Sequence, residues 1–216
     1  MGTPLALSTP HGFTLSRSHA SRICDNSGKA ELFLAVKFPP RDDKWLRRPP
    51  HSATRFHAWL TDRGSLTSRI QARCPAFSIK VVFQGLRRVN RDENFLRHAK
   101  VGRLALVREV YLMCRRTPVV FAHSVIDPRA VRGAWRRVAR LGSRPLGAAL
   151  FANPRIKRYP LRQKKLNRHH ELYERAGAAL RARPAHLWAR RSLFTLHRSP
   201  ILVTEVFLPG ILKLAP

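Results

Sequence analysis

Two charged residues of opposite sign sit inside apolar strand patterns that offer them no obvious place. Residues 201–209 read ILVTEVFLP, and strand alternation puts Ile201, Val203, Glu205 and Phe207 on one face. Glu205 then has apolar neighbours on its own side, where an ionised carboxylate needs a cation, a hydrogen-bonding ligand or a raised pKa. Residues 103–113, RLALVREVYLM, place Leu104, Leu106, Arg108, Val110 and Leu112 together, so Arg108 also looks inward. Arginine can bind a carboxylate through a bidentate fork, and glutamate can accept a hydroxyl or a proton. If both strands line one cavity, the pair suits a small anionic molecule held at one end and worked on at the other. Two plainer readings stand beside this: a glutamate on the solvent face of an edge strand, and a structural ion pair between the two residues.

Other polar residues are less informative. In residues 118–127, PVVFAHSVID, Val119, Phe121, His123 and Val125 share a face. His123 is either a hydrogen-bonded core histidine or a second cavity residue beside the Arg108 strand. His169 and His170 lie in a basic, polar segment and are expected to be solvated rather than to bind metal. Cys24, Cys74 and Cys114 are far apart and form no CxxC, so free thiols in a reducing compartment are expected, with no zinc site. No GxGxxG, Walker A or GxSxG sequence occurs, and no cofactor is expected.

The elements that must position these residues follow in order. Residues 1–36 lack apolar periodicity and begin poor in acids, which reads as a disordered or mis-annotated extension rather than a transit peptide. Phe56, Trp59 and Leu60 recur at helical spacing within 53–61. Gly64 ends that helix and Ser65 is the expected N-cap of a second over 66–73, a corner whose N–H groups could bind an anion. Residues 77–86 alternate as a strand, 87–102 form a loop with a helical turn, and 103–113 and 118–127 make a hairpin. A basic helix is expected over 128–140, and another starts at Ser143 with Pro145 in its first turn. Residues 155–166 read as one basic edge strand, 167–183 as a moderately helical insertion, and 187–196 with 201–209 as a second hairpin. The sum is an antiparallel α+β domain of six strands, with two hairpins and helices between them.

The chain has 216 residues, 44% of them hydrophobic, with a formal charge of +30. That length suits one domain with a substantial core. The charge would attract polyanions, yet the basic residues are spread along the chain without interleaved stacking aromatics, so no specific nucleic-acid partner is expected. No apolar run approaches the roughly 18 residues that span a bilayer.

Five segments in this order and spacing resemble the chorismate lyase family: WLTDRGSLTSR (59–69), LVREVYL (106–112), LGSRPLGAALF (141–151), LWARRSLF (187–194) and ILVTEVFLP (201–209). The resemblance covers roughly 42–210 and implies an α+β domain whose six-stranded antiparallel sheet carries helix-turn-helix flaps over a buried ligand site. It implies conversion of chorismate to 4-hydroxybenzoate and pyruvate, the first committed step of ubiquinone synthesis. A cytoplasmic monomer is expected. The resemblance also implies that Arg108 binds the ring carboxylate with help from the backbone N–H groups of Leu66 and Leu146, and that Glu205 is the catalytic carboxylate. The family's second internal arginine, fifteen residues after the first, is His123 here, which a protonated imidazole could partly replace. The alternative from another class is a non-catalytic ligand-binding module of the same fold.

Overall fold

The computed structural model describes residues 45–93 and 104–214; the extension over 1–36, Cys24 and most of the 87–102 connection lie outside them. Seven antiparallel strands form one sheet: β1 (Phe77–Arg88), β2 (Leu104–Cys114), β3 (Thr117–Ile126), β4 (Lys157–Arg158), β5 (Arg162–Leu166), β6 (Leu187–Leu196) and β7 (Ser199–Phe207). Their order is β1-β2-β3-β7-β6-β4, with β5 also on β6. Both hairpins expected from the alternation are present. The β6–β7 turn places His197 and Arg198 at φ 47° and 63°, as a two-residue primed turn requires.

The sheet has seven strands rather than six because the expected 155–166 strand divides at Pro160. Proline gives no N–H to the ladder. Arg158 pairs with Phe194 and Arg162 with Arg191, so both pieces lie against β6 at the edge.

Among the described residues, five short helices cover the sheet: α1 (His57–Thr61), α2 (Leu66–Gln71), α3 (Pro128–Val131), α4 (Leu146–Ala152) and α5 (Glu171–Gly177). Ser65 caps α2 as expected, its Oγ accepting from Ser68 N–H at 3.3 Å. The helix expected over 128–140 is only α3, followed by turns and a 3-10 turn at Val138–Arg140. Gly133 and five arginines without an acidic partner in the segment weaken a continuous helix, although Trp135, Val138 and Leu141 are buried as the pattern demanded. α4 begins after Pro145, its N-cap, and not at Ser143.

The expectation of free thiols is corrected. Cys74, just past α2, and Cys114, ending β2, form a disulfide across 40 residues. Phe77 lies opposite Cys114 in the ladder, so the chain entering β1 returns Cys74 to that strand end. The argument from free thiols for a reducing compartment goes with it.

Each sheet face carries two apolar clusters separated by a polar band. On one face, Val110, Leu112, Val120, Trp188 and Phe207 pack under Trp59, Leu60, Leu66 and Ile70. Ile126, Phe194 and Ile201 pack there under Trp135, Leu146 and Leu150. On the other, Tyr111, Phe121 and Val206 pack under Leu172, Tyr173 and Ala176 of α5. Val107, Val125, Leu193 and Leu202 form the fourth cluster. Adjacent polar residues at mid-strand, Arg108-Glu109, His123-Ser124 and Thr204-Glu205, send one member to each band.

Candidate active site

The polar band under α2 and α4 is a cavity. Arg108 and Glu205 both line it, as do Leu66, Leu146, Ser124, Ser192 and Arg158. Arg108 stands opposite Ser124 on β3, which stands opposite Val203 on β7. Glu205 is therefore two strands across and two residues along, which puts the two Cα atoms about 12 Å apart.

Arg108 is buried at 3% exposure. Its Nη2 donates to the carbonyls of Gly142 at 2.8 Å and Arg144 at 3.1 Å, in the segment leading into α4. Its Nε has no hydrogen-bond partner among the described residues. No carboxylate lies within ion-pair distance among the described residues, and burial pushes its pKa down. A buried guanidinium with an open donor facing a cavity is suited to an anion, because an arriving acceptor offsets part of its desolvation.

Glu205 is not paired with Arg108. Its Oε2 accepts from Nε of Arg190 at 2.5 Å, across directly opposed positions of β7 and β6. Arg190 is fully buried, and its Nη1 donates to the carbonyls of Trp59 at 2.8 Å and Asp62 at 2.6 Å. The carboxylate is thereby fixed to the α1–α2 corner while staying 19% exposed toward the cavity. Neither the solvent-face reading of Glu205 nor the Arg108–Glu205 ion pair holds.

Leu66 and Leu146 are the first residues of α2 and α4, where a backbone N–H has no intrahelical acceptor. The two helix starts abut at Gly147. A Cβ there would meet Thr67 Oγ1 at 3.1 Å and Ser65 Oγ at 3.3 Å, so the missing side chain permits the approach.

His123 does not line this cavity, which corrects its expected place beside Arg108. Met113 pairs with Pro118, but Leu112 pairs with Val120, so Val119 is an extra residue on β3. Without that bulge Arg108 would face His123; with it Arg108 faces Ser124, and His123 turns to the other side. There His123 is buried, with Nδ1 3.0 Å from Glu109 Oε1 and Nε2 2.7 Å from Glu93 Oε1. Glu109 also takes Arg87 at 2.8 Å and Arg175 at 3.0 Å. Burial alone would lower the His123 pKa, but the two carboxylates raise it to about 9. Burial would raise that of Glu109, but His123 and the two arginines bring it down to about 2.

His170 belongs to this second band and is not simply solvated. Its Nδ1 accepts from Leu172 N–H at 3.2 Å, capping α5, and its Nε2 is 3.0 Å from Asp92 Oδ2. Lys164 and the indole N–H of Trp45 reach the same oxygen, and these groups together hold Asp92 well below the usual carboxylate range despite its burial. His169 is exposed, as expected.

A model of the family described as chorismate lyase matches residues 42–215. The chain belongs to the chorismate lyase family. Similar proteins include a probable chorismate pyruvate-lyase of Nitrosospira multiformis, 55% identical over 79% of this chain and 96% of that one. One of Nitrosomonas europaea is 53% identical with the same coverage, and one of Aromatoleum aromaticum is 50% identical over 83% and 99%. Within this chorismate lyase fold, reasoning from the sequence missed Arg158 as a cavity residue and Arg190 as the partner of Glu205. The doublet Arg190-Arg191 in an otherwise apolar strand carried the signal, since alternation must turn one arginine to each face.

Proposed function

We propose that the protein eliminates pyruvate from chorismate to give 4-hydroxybenzoate, as the first committed step of ubiquinone synthesis. The observation that carries the reading is Arg108, buried, without a carboxylate partner among the described residues, and facing the same cavity as a carboxylate held by Arg190. Arg108 takes the ring carboxylate, with the N–H groups of Leu66 and Leu146 adding donors as the flap helices close over it. Glu205 then lies by the C4 hydroxyl and the ether oxygen on C3. The C3–O bond breaks, hydrogen leaves C4 as a proton, and the ring becomes aromatic. The enolpyruvate released takes up a proton to become pyruvate. Because aromatisation supplies driving force, the protein contributes orientation, exclusion of water and a carboxylate that accepts from the C4 hydroxyl as the proton moves.

Chorismate is a dianion that does not cross a bilayer unaided, which supports a location in the cytoplasm with its substrate. Incubating purified protein with chorismate and following 4-hydroxybenzoate absorbance tests the reading. Steady production supports it, whereas binding of chorismate without turnover would make the protein a ligand-binding module.

A further inference from the structure

We propose that Arg158 is the residue that binds the second carboxylate of the substrate, the one on the enolpyruvyl group that leaves. This rests on the chorismate reading above. Chorismate brings two carboxylates to the cavity, and Arg108 accounts for one. Arg190 is not among the lining residues and is turned to Glu205, Trp59 and Asp62. His123 is turned to the other face and engaged by two glutamates. The remaining arginine lining the cavity is Arg158.

Its geometry suits the task. Nε donates to Ser192 Oγ at 3.0 Å, and Nη1 donates to the carbonyl of Arg63. Nη2 makes no hydrogen bond among the described residues, and no carboxylate approaches within ion-pair distance. The guanidinium rests 5.2 and 5.3 Å from the ring centroids of Phe151 and Phe194, two further residues of the cavity wall. Ser192 is two residues along β6 from Arg190, on the same face. Arg158 is therefore at the Glu205 end, where the C3 ether must sit if the ring carboxylate is on Arg108. Burial lowers its pKa while Glu205 and Asp62 act in the other direction, so an incoming carboxylate would relieve part of the desolvation.

The arrangement separates substrate from product. Chorismate would engage Arg108 and Arg158 together, whereas 4-hydroxybenzoate, with one carboxylate, would engage Arg108 alone. The test uses two stable ligands on the full-length protein: 4-hydroxybenzoate, and 3-(carboxymethoxy)-4-hydroxybenzoate, whose second carboxylate hangs from an oxygen on C3. The wild type should prefer the second, and Arg158→Gln should lose roughly 10- to 100-fold in affinity for it, the usual weight of a charge-assisted hydrogen bond. Affinity of that variant for 4-hydroxybenzoate should stay within about threefold, and the Michaelis constant for chorismate should rise in parallel with the dianion loss. Arg158→Lys keeps the charge without the fork and should retain part of the preference; it carries the same comparison if Arg158→Gln does not fold. Equal losses for both ligands, or no loss for the dianion, would overturn the proposal. A wild type that leaves chorismate unconverted would overturn the functional reading instead.

Discussion

Arg190 and Glu205 face each other directly across β6 and β7, joined at 2.5 Å, and the arginine's other contacts tie the pair to the backbone of the α1–α2 corner. The carboxylate proposed as catalytic is thus held by a cation whose other contacts are the backbone carbonyls of Trp59 and Asp62. Replacing Arg190 by Lys keeps the charge and removes the fork. Turnover should fall about 100-fold, the usual consequence of misplacing a reacting group by an ångström. Affinity for 4-hydroxybenzoate, which depends on Arg108, should hold. Parallel loss of both would place Arg190 in general packing.

The His123 cluster makes stability depend on pH. Its folded pKa of about 9 lies above the unfolded 6.5, so the stabilisation is complete below pH 6.5 and is lost as pH rises through 9. The loss should be on the order of 3 kcal/mol. Urea melts from neutral to alkaline pH should show it, and His123→Gln should flatten the dependence while being less stable at neutral pH. The Michaelis constant for chorismate should not follow this titration, because His123 is outside the cavity.

Much of the site was legible because strand alternation is local. Glu205 and Arg108 were picked out by apolar neighbours two residues away, and Ser65 by its position before a periodic segment. Register between strands is not local. The extra Val119 that turns His123 away leaves no mark in an apolar run PVVF, where either valine could be the bulged one. Cys74 and Cys114 were misread for a related reason: their proximity depends on how β1 pairs with β2, and spacing along the chain says nothing of that. The Glu93 and Glu109 partners of His123 likewise come from separate segments.

The Cys74–Cys114 bond ties the end of α2 to the end of β2. For a closed segment of this length a disulfide contributes about 3–4 kcal/mol, mainly by restricting the unfolded chain. Reduction, or Cys114→Ala, should lower the melting temperature and leave the Michaelis constant nearly unchanged, since neither sulfur lines the cavity. Identical melting with and without reductant would show that the bond contributes nothing in solution.

Gly147 lets α2 and α4 meet over the cavity. Gly147→Val should push the two helix starts apart and weaken 4-hydroxybenzoate binding roughly tenfold, the equivalent of one lost hydrogen bond. Calorimetric titration would read this, and an unchanged affinity would remove the Leu66 and Leu146 amides from the account.

The most direct test of the central claim is titration of 4-hydroxybenzoate into Arg108→Met and Glu205→Gln. With the product's carboxylate on Arg108 and its hydroxyl by Glu205, the methionine variant should bind at least roughly 10- to 100-fold more weakly. The glutamine variant should bind within about threefold of the wild type while losing turnover. Wild-type affinity in Arg108→Met would contradict the account, because the buried guanidinium would then not be what the ligand's carboxylate meets.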